Sequence, residues 1–383
     1  MDPMLPRLVA VLFVVVFLAA IGRRFSQPMP VVYLLAGVVL GPQALALLGD
    51  VHTMTRLGEL GVILLLFLLG TEIKLDQLIA SWRVPVLGLG VQVAGSLLSV
   101  AAVGWALDWP MGRVVLVGFV ISLSSTAVVL RLLEDRKLSG TPLGNDVLAI
   151  LLAQDLALAP MLIAIAMLGG VHVSAGEMAL QLIGGAALIG VVGWTARQER
   201  VSIPGFSAVR DDPELQVFGA LLVALSLALF SALVGLSAAF GAFVAGIVIG
   251  ATEEERWIHH SLHPLRVLLV ALFLMAVGML LDIGFMRDNL ALVLGLAGLA
   301  LATNTMINAG ILKALGRSTR DAVLGGALLS QIGEFSFVLA AIGAEVGLVS
   351  VYGHQLAMAV IAVTLLLSAA WITTADAAIR RWG

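Results

Sequence analysis

The sequence predicts an all-α polytopic membrane protein of about thirteen transmembrane helices arranged as inverted repeats. Three observations carry that expectation. Of the 383 residues, 61% are hydrophobic and only 12% are charged, with a mean hydropathy of +1.10. A soluble globular chain is about half apolar and about a quarter charged, so the solvent for this chain is lipid. Second, the basic residues segregate to alternate connections between apolar stretches. Third, two apolar motifs recur in the same order in the two halves of the chain.

A span needs about 20 apolar residues. Charged, Pro-rich and Gly-rich breaks set limits near 5–22, 29–48, 57–73, 84–107, 112–133, 142–168, 177–196, 214–233, 235–251, 265–282, 289–313, 321–346 and 354–379. The N-terminal "MDPMLPRLVAVLFVVVFLAAIGRRF" has an acid and a proline where a cleavable signal wants positive charge. It also lacks a small-x-small site before Arg23, so it is expected to be retained as the first span. The break at 233–235 rests only on the small turn residues of "SALVGLSAAFG".

With thirteen spans, one side receives 17 of the 21 Lys and Arg, from Arg23/Arg24 through Arg136/Lys137 and Arg317/Arg320 to Arg380/Arg381. The other keeps Arg7, Arg56, Arg113 and Arg287. An omitted or invented span would scramble this division, and the positive-inside rule puts the N-terminus outside and the C-terminus in the cytoplasm. The absence of cysteine excludes disulfides, thiolate metal sites and thiol catalysis. A net charge of −3 gives no footing for nucleic acid, and no G-x-x-x-x-G-K-[ST] run offers ATP a site.

"LLAGVVLGP" (34–42) resembles "FVAGIVIGA" (243–251), and shortly after each, "LLFLLGTEIKLDQ" (65–77) echoes "ALFLMAVGMLLDI" (271–283). Ala36 and Ala245 lie 209 positions apart, and Asp76 and Asp282 lie 206 apart. The matched spans are an odd number of crossings apart, so the copies run in opposite directions through the membrane. That arrangement marks alternating-access transporters with a site near the midplane. It divides the chain into repeat one at about 5–168, a linker span at about 177–196 and repeat two at about 214–379.

Each repeat next places a polar cluster in mid-membrane. "VISLSSTAVVL" (120–130) carries Ser122, Ser124, Ser125 and Thr126, and "LLSQIGEFSFVLA" (328–340) carries Gln331 and Glu334. Such groups are tolerated where helices are interrupted and line a wet, protein-enclosed cavity. Two half-helices would then aim their dipole ends and freed carbonyls at one point. For the individual serines, bonding back onto their own helix is an equal reading.

"AILLAQDLALAP" (149–160) sets Asp155 at the centre of span six, with Gln154 beside it. A charge there costs at least about 2.5–3.5 kcal/mol, and no Lys or Arg lies near the middle of any span. Loss of hydration penalises the ionised carboxyl, so Asp155 is expected either to hold a proton or to bind a monovalent cation, the competition that underlies proton-coupled exchange. Gln154 offers a neutral amide oxygen, although adjacent helix positions do not share a face. Glu334 is a second proton carrier or a structural acceptor. Asn304 and Asn308, at i and i+4, share a face and either extend the site or tie helices together. "LEDRKLSG" (133–140), "QERVSIPGFSAVRDDPE" (198–214) and "TEEERWIHHSLH" (252–263) are expected as cytoplasmic loops. In the last of these, His259, His260 and His263 have spacing that suits a metal, but no carboxylate or cysteine completes it. Glu59 and Glu72 fall near the ends of span three.

These motifs resemble the monovalent cation:proton antiporter-2 family. "VYLLAGVVLGP", "ELGVILLLFLLGTEI", "SLSSTAVVLRLLEDR", "LLAQDLALAP", "GLSAAFGAFVAGIVIG" and "LLSQIGEFSFV" occur in family order across residues 10 to 375, and look closest to the glutathione-gated potassium efflux antiporters of bacteria. The resemblance implies a sodium/proton antiporter-like fold of thirteen spans, a homodimer in the bacterial inner membrane, and two crossed, broken helices in spans 5 and 12. It implies Asp155 as the ion- and proton-binding acid, helped by Gln154, Ser124, Ser125 and Thr126, with Glu334, Gln331, Asn304 and Asn308 in support. Gln154 falls where the potassium branch has Gln and the sodium branch Asn or Asp. Many relatives carry a Lys that aligns with Asn304, and its replacement by an amide implies electroneutral exchange. The potassium efflux relatives continue into a cytoplasmic nucleotide-binding domain, and the sequence stops at "AAIRRWG", either short of such a regulatory domain or without one.

The resulting expectation is a secondary antiporter, not an enzyme, that needs no cofactor and exchanges K⁺ for protons by elevator-type movement. A Na⁺ or Li⁺ antiporter of the same fold is the alternative. A gated channel would need a continuous polar pore, and an intramembrane protease would need paired acids or a Ser with an intramembrane His. A solute symporter would want more aromatic residues near the polar cluster.

Overall fold

The computed structural model describes residues 4–25, 27–47, 60–61, 63–64, 66–68, 70–71, 83–138, 140–169, 175–195, 197–198, 212–236, 238–252 and 255–382. Among them every extended element is a helix. In chain order these are α1 (Met4–Arg24), α2 (Met29–Leu40), α3 (Arg83–Ala106), α4 (Met111–Ser122), α5 (Thr126–Asp135), α6 (Pro142–Leu168), α7 (Ala175–Thr195) and α8 (Pro213–Leu233). They continue with α9 (Ala238–Gly250), α10 (Glu255–Leu280), α11 (Ile283–Asp288), α12 (Leu290–Ala314), α13 (Thr319–Leu328), α14 (Phe335–Glu345) and α15 (Val351–Trp382). Described residues between 60 and 71 are also helical. Glu59, Glu72 and Asp76, and the side chains of His259, His260 and His263, lie outside the described residues.

Among the described residues, five helices are long and apolar enough to cross a membrane whole: α3, α6, α8, α12 and α15. The expected fifth and twelfth spans are instead each two short helices, α4 with α5 and α13 with α14, interrupted at 123–125 and 329–334. Two expected limits are corrected. The second span ends as a helix at Leu40, where Gly41 takes an extended conformation and its N–H closes on the Gly37 carbonyl. Most of the run 252–263, expected as a loop, is the start of α10, which passes through Pro264; one missing N–H costs that helix a backbone bond without ending it.

The chain divides into two compact units. The first comprises residues 1–51, 81–171 and 277–383 and the second 52–80 and 172–276. In the first, α6 is central: 71% of its apolar window is buried, against 22% for α3 and 28% for α12, which face outward. Thr141 starts α6, its hydroxyl accepting the Gly144 N–H at 3.1 Å just before Pro142, so the helix entry is fixed by a cap and a residue that needs no donor. Val147, Ile150, Leu151, Leu158 and Ile165 then pack at 0–1% exposure.

The second unit is packed on small residues. Ala220, Ala224 and Ala228, spaced four apart on α8, meet Ala242, Ala245 and Ile249 of α9, with Phe67 and Leu68 completing the cluster. One contact occurs in both units. In the first, a Cβ on Gly278 of α10 would meet the Leu34 carbonyl and come within 3.0 Å of the Gly37 Cα and the Val38 N. In the second, a Cβ on Gly70 would meet the Phe243 carbonyl and come within 2.9 Å of the Gly246 Cα and the Ile247 N. Leu34, Gly37 and Val38 each lie 209 positions before Phe243, Gly246 and Ile247, the same offset as the recurring motif. Side-chain-free positions are needed wherever two backbones approach this closely.

Candidate functional site

The two interruptions cross, and both lie in the first unit. A Cβ on Gly333 would sit 2.7 Å from the Ser124 carbonyl carbon and oxygen, so glycine is required at the crossing. The Gly333 N–H donates to the Leu123 carbonyl at 2.8 Å. The Ser124 hydroxyl donates to the Leu329 carbonyl at 2.7 Å, and the Ser336 hydroxyl donates to the Val120 carbonyl at 2.6 Å. Each interrupted span therefore satisfies backbone groups that the other has freed, which is how irregular backbone survives away from water.

Asn304 of α12 bridges both breaks from the side. Its Nδ2 donates to the Ile121 carbonyl at 2.8 Å and to the Ser330 carbonyl at 3.1 Å. The first oxygen belongs to the C-terminal end of α4, where helix carbonyls lack partners and the dipole is negative, and the second to the break just beyond the C-terminal end of α13. Gln92 of α3 donates in turn to the Asn304 Oδ1 at 3.1 Å. Asn308 donates to the Asn304 carbonyl one turn away at 3.0 Å. A pair of neutral amides, Asn304 and Gln92, thus supports the crossing, and Asn304, Asn308 and Gln92 are all fully buried.

Gln154 and Asp155 approach from α6, at 0% and 3% exposure. The Thr126 hydroxyl donates to the Asp155 Oδ2 at 2.9 Å. This holds the carboxylate at the first residue of α5, where the positive end of a helix favours an anion. Gln154 points the other way: its Oε1 accepts the Ser124 N–H at 2.9 Å. An N–H can only donate, so the amide orientation is fixed. The Gln154 Nε2 has no partner among the described residues. The amide oxygen anticipated as a cation ligand is therefore engaged in clamping the first break. Ser125 behaves as a cap, its hydroxyl accepting the Val128 N–H at 3.3 Å, and the Ser122 hydroxyl bonds back to the Phe119 carbonyl.

On the second break, the Ile332 N–H donates to the Thr364 hydroxyl oxygen at 3.2 Å. Gln331 is fully buried, and among the described residues neither its Oε1 nor its Nε2 has a partner. Glu334 ends the break at 7% exposure. The structure thus joins Ser124, Gln154, Asn304 and Asn308 through the crossing, ties Thr126 to Asp155 beside it, and leaves Gln331 unbonded to any of them. Gln92, Gly333 and Thr364 were not singled out from the sequence; the visible signal was Gln92 with Ser96, two polar residues four apart on a span whose neighbours are apolar. Sequence reading also missed Asp146, whose Oδ2 accepts from the Arg317 Nε at 2.6 Å at the start of α6.

Residues 10–375 match the family described as Sodium/hydrogen exchanger, transmembrane. The chain is 32% identical over 351 residues to the iron transporter MagA of Paramagnetospirillum magneticum, an alignment covering 92% of this chain and 81% of that protein. It is 34% identical over 344 residues to K(+) efflux antiporter 2, chloroplastic, of Arabidopsis thaliana; this covers 86% of the chain but 29% of that longer relative. Among solved structures, the sodium proton antiporter MjNhaP1 from Methanocaldococcus jannaschii superposes with a TM-score of 0.71 over 98% of this chain and 99% of that one, at 15% identity. The last likeness speaks to the fold.

Proposed function

The chain belongs to the sodium/hydrogen exchanger transmembrane family, as the membrane domain of a cation:proton antiporter, and from that premise we propose that it exchanges K⁺ for protons one for one, with Asp155 holding each in turn. The observation that carries the reading is Asp155 itself, a buried carboxylate fixed by Thr126 at the head of α5, beside the crossing. A proton on Asp155 and a cation at Asp155 are mutually exclusive, so release of one accompanies binding of the other. Thr126, whose hydroxyl meets the Asp155 Oδ2 at 2.9 Å, offers one oxygen to such an ion, and backbone carbonyls of the first break are proposed as further donors. Gln154 holds that break in shape, and Gln331, with neither polar atom partnered among the described residues, is a side chain available to the bound state.

Neutral Asn304 and Gln92 at the crossing support electroneutral exchange, because no amine there changes charge during the cycle. The duplicated glycine contact, at the offset of the sequence repeat, supports inverted repeats and hence elevator-type alternating access. A homodimer in a bacterial inner membrane completes the proposal. The relationship to an iron transporter raises a second reading, ferrous iron as cargo. The donors at the crossing favour an alkali cation: they are carboxylate, hydroxyl and backbone oxygens, whereas transition metals select imidazole or sulfur donors.

The test is proton exchange in proteoliposomes: a pH gradient is set, K⁺, Na⁺, Li⁺, Fe²⁺ or choline is added in turn, and a pH dye is followed for the wild type and Asp155→Asn. Dye recovery with K⁺, absent in the variant, is expected. Recovery with Na⁺ or Li⁺ alone reassigns the ion, recovery with Fe²⁺ alone establishes the second reading, and unchanged recovery in Asp155→Asn overturns the role of Asp155. A clamped membrane potential that drives net transport by itself overturns electroneutrality.

A further inference from the structure

A cavity of about 340 Å³ opens in the first unit among α3, α4, α12, α14 and α15. It contains none of the residues assigned to ion exchange. From α4 it takes Arg113, Leu116, Val117, Val120 and Ile121, an i, i+3, i+4, i+7, i+8 series that is a single face of the helix from its first turn to its last. Eight residues of helix rise about 12 Å, close to the roughly 15 Å half-thickness of a bilayer's hydrocarbon core. The slot thus runs the depth of one leaflet, from the N-terminal end of α4 to mid-membrane, where Ile121 and Ile332 flank the two breaks.

The two ends of the slot differ in chemistry. Its length is aliphatic, and no acidic side chain lines it. Its mouth carries Trp109, Arg113 and Tyr352. Arg113 lies over the Trp109 ring, 5.7 Å from its centroid, and none of the ion pairs among the described residues uses it. Tyr352 is fixed, its hydroxyl donating to the Asn289 Oδ1 at 2.9 Å and its ring standing edge-on to Phe285. Trp and Tyr are the residues that sit at the headgroup level of a bilayer, and a guanidinium is the side chain suited to a phosphate. The slot is open sideways to lipid rather than to water: Leu299 on its rim is 54% exposed, on a helix whose apolar window is only 28% buried.

We propose that this slot binds one acyl chain of an anionic phospholipid, with Arg113 pairing its phosphate and the chain end resting against Ile121 and Ile332. The occupant is a phospholipid because the cavity combines a leaflet-deep apolar slot, an aromatic rim and an unpaired cation in that order. A bound chain packs directly on the last turn of α4 and on the second break, so it stiffens the crossing without touching the ion.

Native mass spectrometry of the full chain in detergent, with phosphatidylglycerol and phosphatidylcholine of identical acyl chains supplied together, tests this. Wild type is expected to retain one phosphatidylglycerol in preference. Arg113→Gln is expected to cut that preference about fivefold, the effect of one basic residue at an anionic surface, while still binding both lipids. Ala357→Phe fills the slot and abolishes retention of both; Leu299→Trp, at the exposed rim, does the same should Ala357→Phe fail to fold. Equal retention of the two lipids by wild type, an unchanged preference in Arg113→Gln, or full retention in the slot-filling variants overturns the proposal. None of these outcomes depends on which cation is exchanged.

Discussion

The break at 123–125 and the break at 329–334 meet at one crossing, but they are satisfied to different degrees. In the first, the Ser124 N–H and hydroxyl, the Ser125 hydroxyl and the Leu123 carbonyl all have partners, and Gln154 reaches across from α6 to supply one of them. In the second, the backbone is equally well served, by Thr364, Leu123 and Asn304, yet Gln331 keeps both polar atoms unpartnered at zero exposure. Each buried orphan costs about 1–3 kcal/mol. The contrast assigns different work to the two breaks: the first is a frame that holds Thr126 and Asp155, with one orphan, the Gln154 Nε2, on the side chain that clamps it, and the second keeps both polar atoms of Gln331 in reserve for a state in which something binds.

The largest effect is expected where the two breaks share a support. Asn304→Leu removes the donor from both the Ile121 and Ser330 carbonyls and leaves the Gln92 amide only its 3.4 Å bond to the Ser96 hydroxyl. Losses of about 3 kcal/mol or more follow, read as a large drop in the thermal unfolding midpoint together with loss of exchange. If the midpoint holds, the crossing does not depend on that amide. Gly333→Ala comes next, because its methyl would sit 2.7 Å from the Ser124 backbone. Overpacking of this kind costs about 1–3 kcal/mol, and exchange in proteoliposomes is expected to fall with it.

The pair Gln154→Leu and Gln331→Leu sharpens the comparison directly. The first strands the Ser124 N–H and is expected to destabilise by about 1–3 kcal/mol. The second breaks no hydrogen bond of this structure, so its unfolding midpoint is expected to match wild type or exceed it while exchange slows. Equal destabilisation by the two substitutions would show that the breaks are equivalent and that Gln331 is a structural group.

Composition and the polar clusters made the architecture legible: polar runs such as Ser122 to Thr126 and Gln331 to Glu334 are tolerated in mid-membrane where the backbone departs from the helix, and both departures fall within them, although Ser122 itself stays helical and bonds back to Phe119. Asp155 was legible for the same reason, a charge where charge is costly. The partners were not. Gln92 and Asn304 lie 212 positions apart, and nothing local to "GVQVAGS" says which carbonyls its amide chain will serve. The side of α6 from which Gln154 reaches was equally hidden, because its target, a single backbone N–H, exists only once the fifth span is broken.

The smallest effect is expected at Asp146 and Arg317, the charged pair at the start of α6, which serves as the exposed counterpart of the buried amides. The two are 171 positions apart, with side chains 12% and 31% exposed, so water screens them in a way it cannot screen Asn304. The hydrogen bond from Arg317 to Asp146, more than the charge attraction between them, holds the guanidinium above its ordinary range. A raised folded value means that this contribution is fully present below the unfolded arginine value and is lost only as pH rises through the folded one. It is therefore constant across the range in which exchange is assayed. Arg317→Gln should cost no more than about 1 kcal/mol, a shift of the unfolding midpoint that shrinks in high salt, whereas the cost of Asn304→Leu should not change with salt. If Arg317→Gln instead destabilises as much as Asn304→Leu, the ends of α6 and not the crossing carry the stability of the site.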